Sequence, residues 1–362
     1  MTNDPATLRA LRATPVLVPL SIPLKTASGM IAASPLVLVD LETDTGCTGY
    51  AYLFVYSPLA LRPVVEIINA LGSELVGSAV APAELLLNLS RKFRLLGTAG
   101  LLGMALAGLE IAAWDVVAKL AGLPLYQLLG GVRKPLKAYA SLGLDGIDVG
   151  QRLVGEARAR GFRAVKIKLG YPTLAEDLLV VREIRAALGP ERDLMVDYNQ
   201  SLSVPEAIRR CSALDSEGLA WIEEPTLQDD YLGHAQIAAQ VSTPIQLGEN
   251  WFGLGEMTKA LDARAADLVM PDLMKIGGVG NWLGAATLAQ ARSLPISTHL
   301  FHEISAHLMT VATSAHYLEV MDLASPILAS PMVFEDGAAA LPACPGNGLS
   351  WDPLAVKRYL VA

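Results

Sequence analysis

Residues 194–251 hold three apolar runs that each end in an acid: LMVDYNQ (194–200), LAWIEEPT (219–226) and IQLGENW (245–251). The acids are Asp197, Glu223 and Glu249, and each step from one to the next is 26 residues. That length suits a strand, a loop and a helix. Equal steps of this kind predict successive β/α units, with the acids at the carboxyl ends of three neighbouring parallel strands. In a β/α barrel those ends face the active site. A single acid at a strand end is most often a helix N-cap, but a regular triplet is not explained that way. Three converging carboxylates, with no cysteine or histidine among them, make a hard-oxygen site suited to Mg2+.

Working outward, strand and helix alternate over residues 131–322. Candidate strands are Lys137–Ser141, Ala164–Lys168, Leu194–Asp197, Ala220–Glu223, Ile245–Gly248, Leu268–Met270, Ile296–His299 and a last one near Tyr317–Val320. Eight strands alternating with helices predict a TIM-type barrel. An open doubly wound sheet would carry a glycine-rich phosphate loop after an early strand, and Gly278-Val279-Gly280 in mid-chain is a weak match to one. Before the barrel, residues 9–55 carry β-branched and aromatic residues around a turn at Asp44-Thr45-Gly46, and residues 58–129 turn helical. Residues 1–130 are therefore expected to form an α+β domain. LKTASGMIAAS (24–34) reads as a loop or lid. The tail, residues 323–362, has no barrel period and is expected to fold back over the first domain.

Composition narrows the function. The net charge is −8 with no basic tract, which gives no support for nucleic acid binding. Mean hydropathy is high at +0.40. The apolar run Leu95–Leu109 is nevertheless broken by glycines, is followed at once by Glu110 and Asp115, and reads as a buried core helix, so no membrane partner is expected. MTNDPATLR lacks the basic-then-apolar pattern of a signal peptide. Cys47, Cys211 and Cys344 are scattered and odd in number, so they read as free thiols of a cytoplasmic protein.

Further polar residues fall at the other strand ends. Lys166 and Lys168 lie two apart on one strand and so share a face. Inside a barrel, two close ammonium groups would repel, each proton would be easier to lose, and Lys168 could serve as a base. Asp272 and His299 end the sixth and seventh strands, and a carboxylate beside an imidazole fixes its tautomer and raises its basicity. Glu319 on the eighth is expected to be a neutral acid that donates a hydrogen bond. Ser141 and Asn199 are short polar groups suited to a substrate oxygen.

The motifs VKIKLGYP, MVDYNQSL, WIEEPT, LGENW, MPDLMKIGG, STHLFHEISAHL and HYLEVMD together resemble the enolase superfamily and, within it, the mandelate racemase subgroup. The resemblance implies a modified TIM barrel, (β/α)7β, under an α+β capping domain completed by the C-terminal tail. It implies Mg2+ on Asp197, Glu223 and Glu249, with Glu223 rather than Glu224 turned inward. Lys168 would be one α-proton base and His299 with Asp272 the other. Lys166 would neutralise the substrate carboxylate, and Glu319 would donate to it as it becomes an enediolate. Ser141, Asn199, Leu24, Ser28, Ile31 and Tyr56 would contact the substrate, a small carboxylate. The implied activity is racemisation of a mandelate-like 2-hydroxy acid, and relatives form homo-oligomers, often octamers.

Rival readings differ at few positions. Several acid-sugar dehydratases carry histidine where Asn199 stands. Cycloisomerases usually lack the histidine after the seventh strand and use a lysine from the sixth, and Lys275 lies near that place. The apolar Leu24 and Ile31 fit an aromatic or alkenyl substituent, whereas Lys25, if turned inward, would add a charge. A catalytically silent binding barrel would have lost a metal ligand or a base, and none is lost.

Overall fold

The computed structural model describes residues 5–26 and 29–361. Strands β1 (Leu8–Thr26), β2 (Gly29–Thr43) and β3 (Thr48–Phe54) form an antiparallel sheet in that spatial order. β2 is central, and its run Leu36–Val39 is buried on both faces, which accounts for its unbroken apolar sequence. Pro15, Pro19 and Pro23 all fall on β1, an edge strand, where a missing N–H can face away from the ladder. Residues 24–26 and 29–34 are strand rather than the loop expected from their small side chains. Leu24 pairs with Ile31, Lys25 with Met30 and Thr26 with Gly29, so backbone pairing runs out to Thr26 and Gly29. Ser28 lies outside the described residues.

Three helices follow: α1 (Leu61–Leu75), α2 (Pro82–Lys92) and α3 (Leu101–Leu120). On α1 the buried residues Leu61, Val64, Ile68 and Leu71 recur at helical spacing. Among the described residues α3 alone is long and apolar enough to cross a membrane, and 72% of its most apolar window is buried in the fold. Its two buried acids are both satisfied. Glu110 accepts from the backbone N–H of Val279 and Gly280 (2.8 Å each) and from the indole of Trp114 (2.7 Å). Asp115 accepts from the N–H of Tyr50 (2.8 Å) and of Asn347 (2.7 Å) and pairs with Lys119. Glu110 thus caps the helix Gly278–Ala291, whose free N–H groups favour an anion. Gly278 is required here, because a Cβ on it would lie 2.2 Å from the Glu110 carboxylate and its φ is +92°.

The second sheet is parallel: β4 (Ala138–Ser141), β5 (Ala164–Lys168), β6 (Asp193–Asp197), β7 (Ile222–Glu223), β8 (Ile245–Leu247), β9 (Leu268–Val269) and β10 (Leu318–Val320), with β10 beside β4. The expected strand Ile296–His299 is reduced to single bridges, Ile296 to Val269 on one side and to Ala315 on the other. Those bridges join β9 towards β10 and close the barrel. Alternation then sorts the interior. Ala164, Met195 and Trp221 plug the barrel with Tyr139 and Tyr317, and the residues two further along, Lys166, Asp197 and Glu223, point the same way above them. The C-terminal segment returns to the first sheet. The Asn347 amide donates to Tyr50 O (2.8 Å) and the Trp351 indole to Asp40 (2.7 Å).

Candidate active site

Barrel register lines up Lys168, Asp197 and Glu223 on β5, β6 and β7. Glu249 follows two residues after β8. One carboxylate oxygen from each of Asp197, Glu223 and Glu249 lies within 4.8 Å of the other two, and all three residues are buried. Burial pushes Glu223 up to about 8, with repulsion from Asp197 and Glu249 opposing the pull of Lys166. Crowding buried carboxylates is costly unless a cation compensates. The donor set, all hard oxygens at the mouth of a barrel, fits Mg2+. Glu224, at φ +41°, turns away from this cluster, as alternation requires, and accepts instead from Asn250.

The two lysines are not left to repel each other. The Lys166 ammonium contacts Glu223, lies 2.9 Å from Glu319 and 3.9 Å from Asp197. Lys168 donates to Asp197 at 2.6 Å. Burial disfavours both charges, but the acids outweigh it and hold both lysines above the ordinary value. The expected lowering of Lys168 is therefore absent in this state, because each ammonium has a carboxylate nearer than the other lysine's charge can offset. Glu319 also departs from the neutral acid expected. Burial works against its charge, but Lys166 and His299 hold it below the usual carboxylate range, and its second oxygen accepts from the Leu300 N–H (2.9 Å).

His299 stands across the site. Its Nδ1 is 2.7 Å from Asp272, and its Nε2 faces Glu249 at 3.4 Å. Burial lowers its basicity, but Glu249 and Asp272 together raise it. The other Asp272 oxygen accepts from the N–H of Met274 and Lys275, so one carboxylate caps the turn Leu273–Ile276 and orients the ring. Sheet order runs β5, β6, β7, β8, β9 and then the His299 segment. Lys168 and His299 therefore flank the three acids from either side.

A pocket of about 720 Å3 opens over these groups. Leu24, Ile31, Tyr56 and Asn199 line it. Its apolar lining includes Leu17, Phe54, Leu300 and Met321. Lys25 is exposed and adds no charge there. Ser141 pairs with Lys166 in the barrel register, on the same face as Tyr139. It lines an adjoining cavity of about 240 Å3 with His302, and Leu24 and Met321 line both cavities. Asn199 serves Asp197, donating from N–H (2.7 Å) and Nδ2 (2.9 Å). Three supporting residues escaped the sequence reading. Trp221 and Gln246 donate to Glu223 (3.0 and 3.1 Å), and Asn250 donates to Glu224 and Glu249. Alternation could have found the first, since Trp221 lies two residues before Glu223.

Residues 9–130 match the mandelate racemase/muconate lactonizing enzyme N-terminal domain, and residues 151–355 match the enolase C-terminal domain-like family. The chain belongs to the mandelate racemase/muconate lactonizing enzyme family. It is an enzyme of the enolase superfamily. A curated relative, 3,6-anhydro-alpha-L-galactonate cycloisomerase of Streptomyces coelicolor, is 32% identical over 88% of this chain and 89% of its own. A Bradyrhizobium enolase crystallised with magnesium and mandelic acid is 44% identical, covers 100% of both chains and superimposes with a TM-score of 0.96. An enolase from the alpha proteobacterium bal199 with bound magnesium is 40% identical over 98% of this chain and 100% of its own, again at 0.96.

Proposed function

We propose that this enzyme racemises a mandelate-like 2-hydroxy carboxylate by a two-base reaction with Mg2+ as cofactor. The observation that carries the reading is the pair of bases flanking the acid triad: Lys168 on β5 and the Asp272-oriented His299 beyond β9. Asp197, Glu223 and Glu249 would hold the metal, which supplies positive charge to the substrate carboxylate as the α-carbon loses its proton. With Lys168 protonated, as its contact with Asp197 favours, His299 Nε2 takes the α-proton and Lys168 delivers its own to the opposite face. The product enantiomer then leaves behind neutral Lys168 and protonated His299, the form that runs the reaction in reverse. Asp272 keeps the ring's Nε2 turned to the substrate and stabilises the imidazolium. Lys166 places an ammonium beside the substrate carboxylate, and Glu319 holds that ammonium in place.

The apolar lining of the pocket supports an aromatic or alkenyl substituent over the hydroxylated chain of a sugar acid. Mandelic acid in the Bradyrhizobium enolase agrees with this. The cycloisomerase relative is the second reading. The test is a panel of 2-hydroxy acids and sugar acids with Mg2+ in D2O, followed by NMR and polarimetry. Loss of optical rotation with α-deuteration of recovered mandelate is expected. Dehydration or cyclisation of a sugar acid, with mandelate inert, would replace racemisation.

A further inference from the structure

Lys275 is a buried lysine that the reaction above does not use, although it lines the pocket. Its surroundings are specific. Its Nζ donates to Asn250 Oδ1 at 2.5 Å and lies 4.3 Å from the centre of the Tyr56 ring. The amide of Asn250 is thereby fixed with its oxygen towards Lys275. Its Nδ2 donates to both oxygens of Glu224 (2.8 and 3.0 Å) and to Glu249 (3.3 Å). On the other side, Tyr56 belongs to the first sheet's end of the pocket. It is an aromatic residue at φ +59°, a strained conformation, with its ring 4.6 Å from that of Phe54.

We propose that Lys275 is a positioning residue: its ammonium ties the Tyr56 end of the cap to the loop that carries Glu249. Both of its partners, a carbonyl oxygen and the face of an aromatic ring, are electron-rich and call for a charged donor. A neutral side chain at this position would forfeit the charge on which the cation–π contact with Tyr56 depends. The link also runs through the catalytic machinery at both ends. The Lys275 N–H sits on Asp272, whose other oxygen orients His299, and Asn250 touches Glu249. Closing the cap over a substrate and setting the third acid of the triad are thus coupled through one ammonium. The inference rests on the reading of the triad as a cation site and of the pocket as the substrate pocket.

The experiment compares the full-length parent with Lys275→Met and Lys275→Arg. Arginine keeps the charge and stacks on rings but does not deprotonate near neutral pH. Mg2+ affinity is measured by calorimetry without substrate, hydrogen–deuterium exchange is followed over residues 50–58, and α-proton exchange of mandelate is followed in both directions. Loss of one charge-assisted hydrogen bond and one cation–π contact predicts for Lys275→Met about tenfold weaker Mg2+ binding, about tenfold higher KM and faster amide exchange at Tyr56, with kcat changed less than about threefold. Lys275→Arg is expected to recover most of each. Tyr56→Leu, which leaves the barrel intact, is expected to raise KM and local amide exchange with Mg2+ affinity nearly unchanged, and it decides the cap arm if Lys275→Met does not fold. The proposal is overturned if both Met and Arg variants lose proton exchange on one face with unchanged Mg2+ affinity, the signature of a base. It is also overturned if Lys275→Met leaves affinity, KM and amide exchange all at parent values. If the parent itself exchanges no 2-hydroxy acid proton, the racemase reading fails instead, and the affinity and amide-exchange arms still test the tether.

Discussion

Replacing Lys166 by Met tests whether the ammonium at the barrel's centre compensates its acids. The side chain is 1% exposed, and methionine keeps its unbranched apolar stem while removing the charge. Glu223 and Glu319 then lose a shared cation in a buried setting. Breaking a buried ion pair by removing one partner costs about 3–5 kcal/mol. The lower end applies here, because Glu223 keeps its Trp221 and Gln246 donors and Glu319 keeps the Leu300 N–H. The expected loss in metal-free protein is about 3 kcal/mol, a factor of roughly 150 in the folded-to-unfolded ratio. Mg2+ at about 100 times its dissociation constant adds about 2.7 kcal/mol to any form that binds it. The variant should therefore recover much of its loss on adding Mg2+, while activity stays at least about 100-fold below the parent. Urea unfolding at pH 8, with chelator and then with excess Mg2+, reads the stability terms. A loss under about 1 kcal/mol in chelator would mean the acids do not depend on this ammonium, and the electrostatic account of the site would fail.

Other outcomes follow from the same geometry. Lys168→Ala should abolish α-deuteration of one mandelate enantiomer and spare the other, with His299→Asn giving the mirror image; equal loss of both would argue against two bases. Chelation should remove activity and Mg2+ restore it, and recovery with a thiophilic metal alone would refute the all-oxygen site. His307 is buried, accepts from the Tyr126 N–H at 3.1 Å through Nδ1, and has Nε2 3.1 Å from Asn347 O. Burial lowers it to about 4. The unfolded imidazole takes up its proton below about 6.5, so stability is fully present above that pH and falls as pH drops towards about 4. This amounts to about 3 kcal/mol. Unfolding of the parent and of His307→Gln across that range checks it, and identical slopes would dismiss the assignment.

The barrel was legible because its acids repeat at a fixed step and because β5, β6 and β7 alternate cleanly between plug and site. Asp272 and His299 were legible as neighbouring strand ends. The tip of the β1–β2 hairpin was not, since small flexible residues hide a pairing made by backbone groups. The protonation states of Lys168 and Glu319 depend on distances of 2.6 and 2.9 Å between strands, which no local pattern encodes. Asn250 and Gln246 act through partners from other strands and carry no signature of their own.

Glu110 reaches from α3 into the start of the helix Gly278–Ala291, just beyond the turn that bears Lys275. This makes the cap a poor module for exchange. A chimera that takes residues 9–130 from a relative would leave the N–H groups of Val279 and Gly280 bare unless the donor supplies a carboxylate at the same helical position. The glycine at 278 sits at φ +92°, where a side chain that could stand in would be strained. Substrate range in this chain is therefore better altered by point changes at the hairpin tip and at Tyr56 than by trading the whole cap, because the seam between the two halves is keyed to one acid.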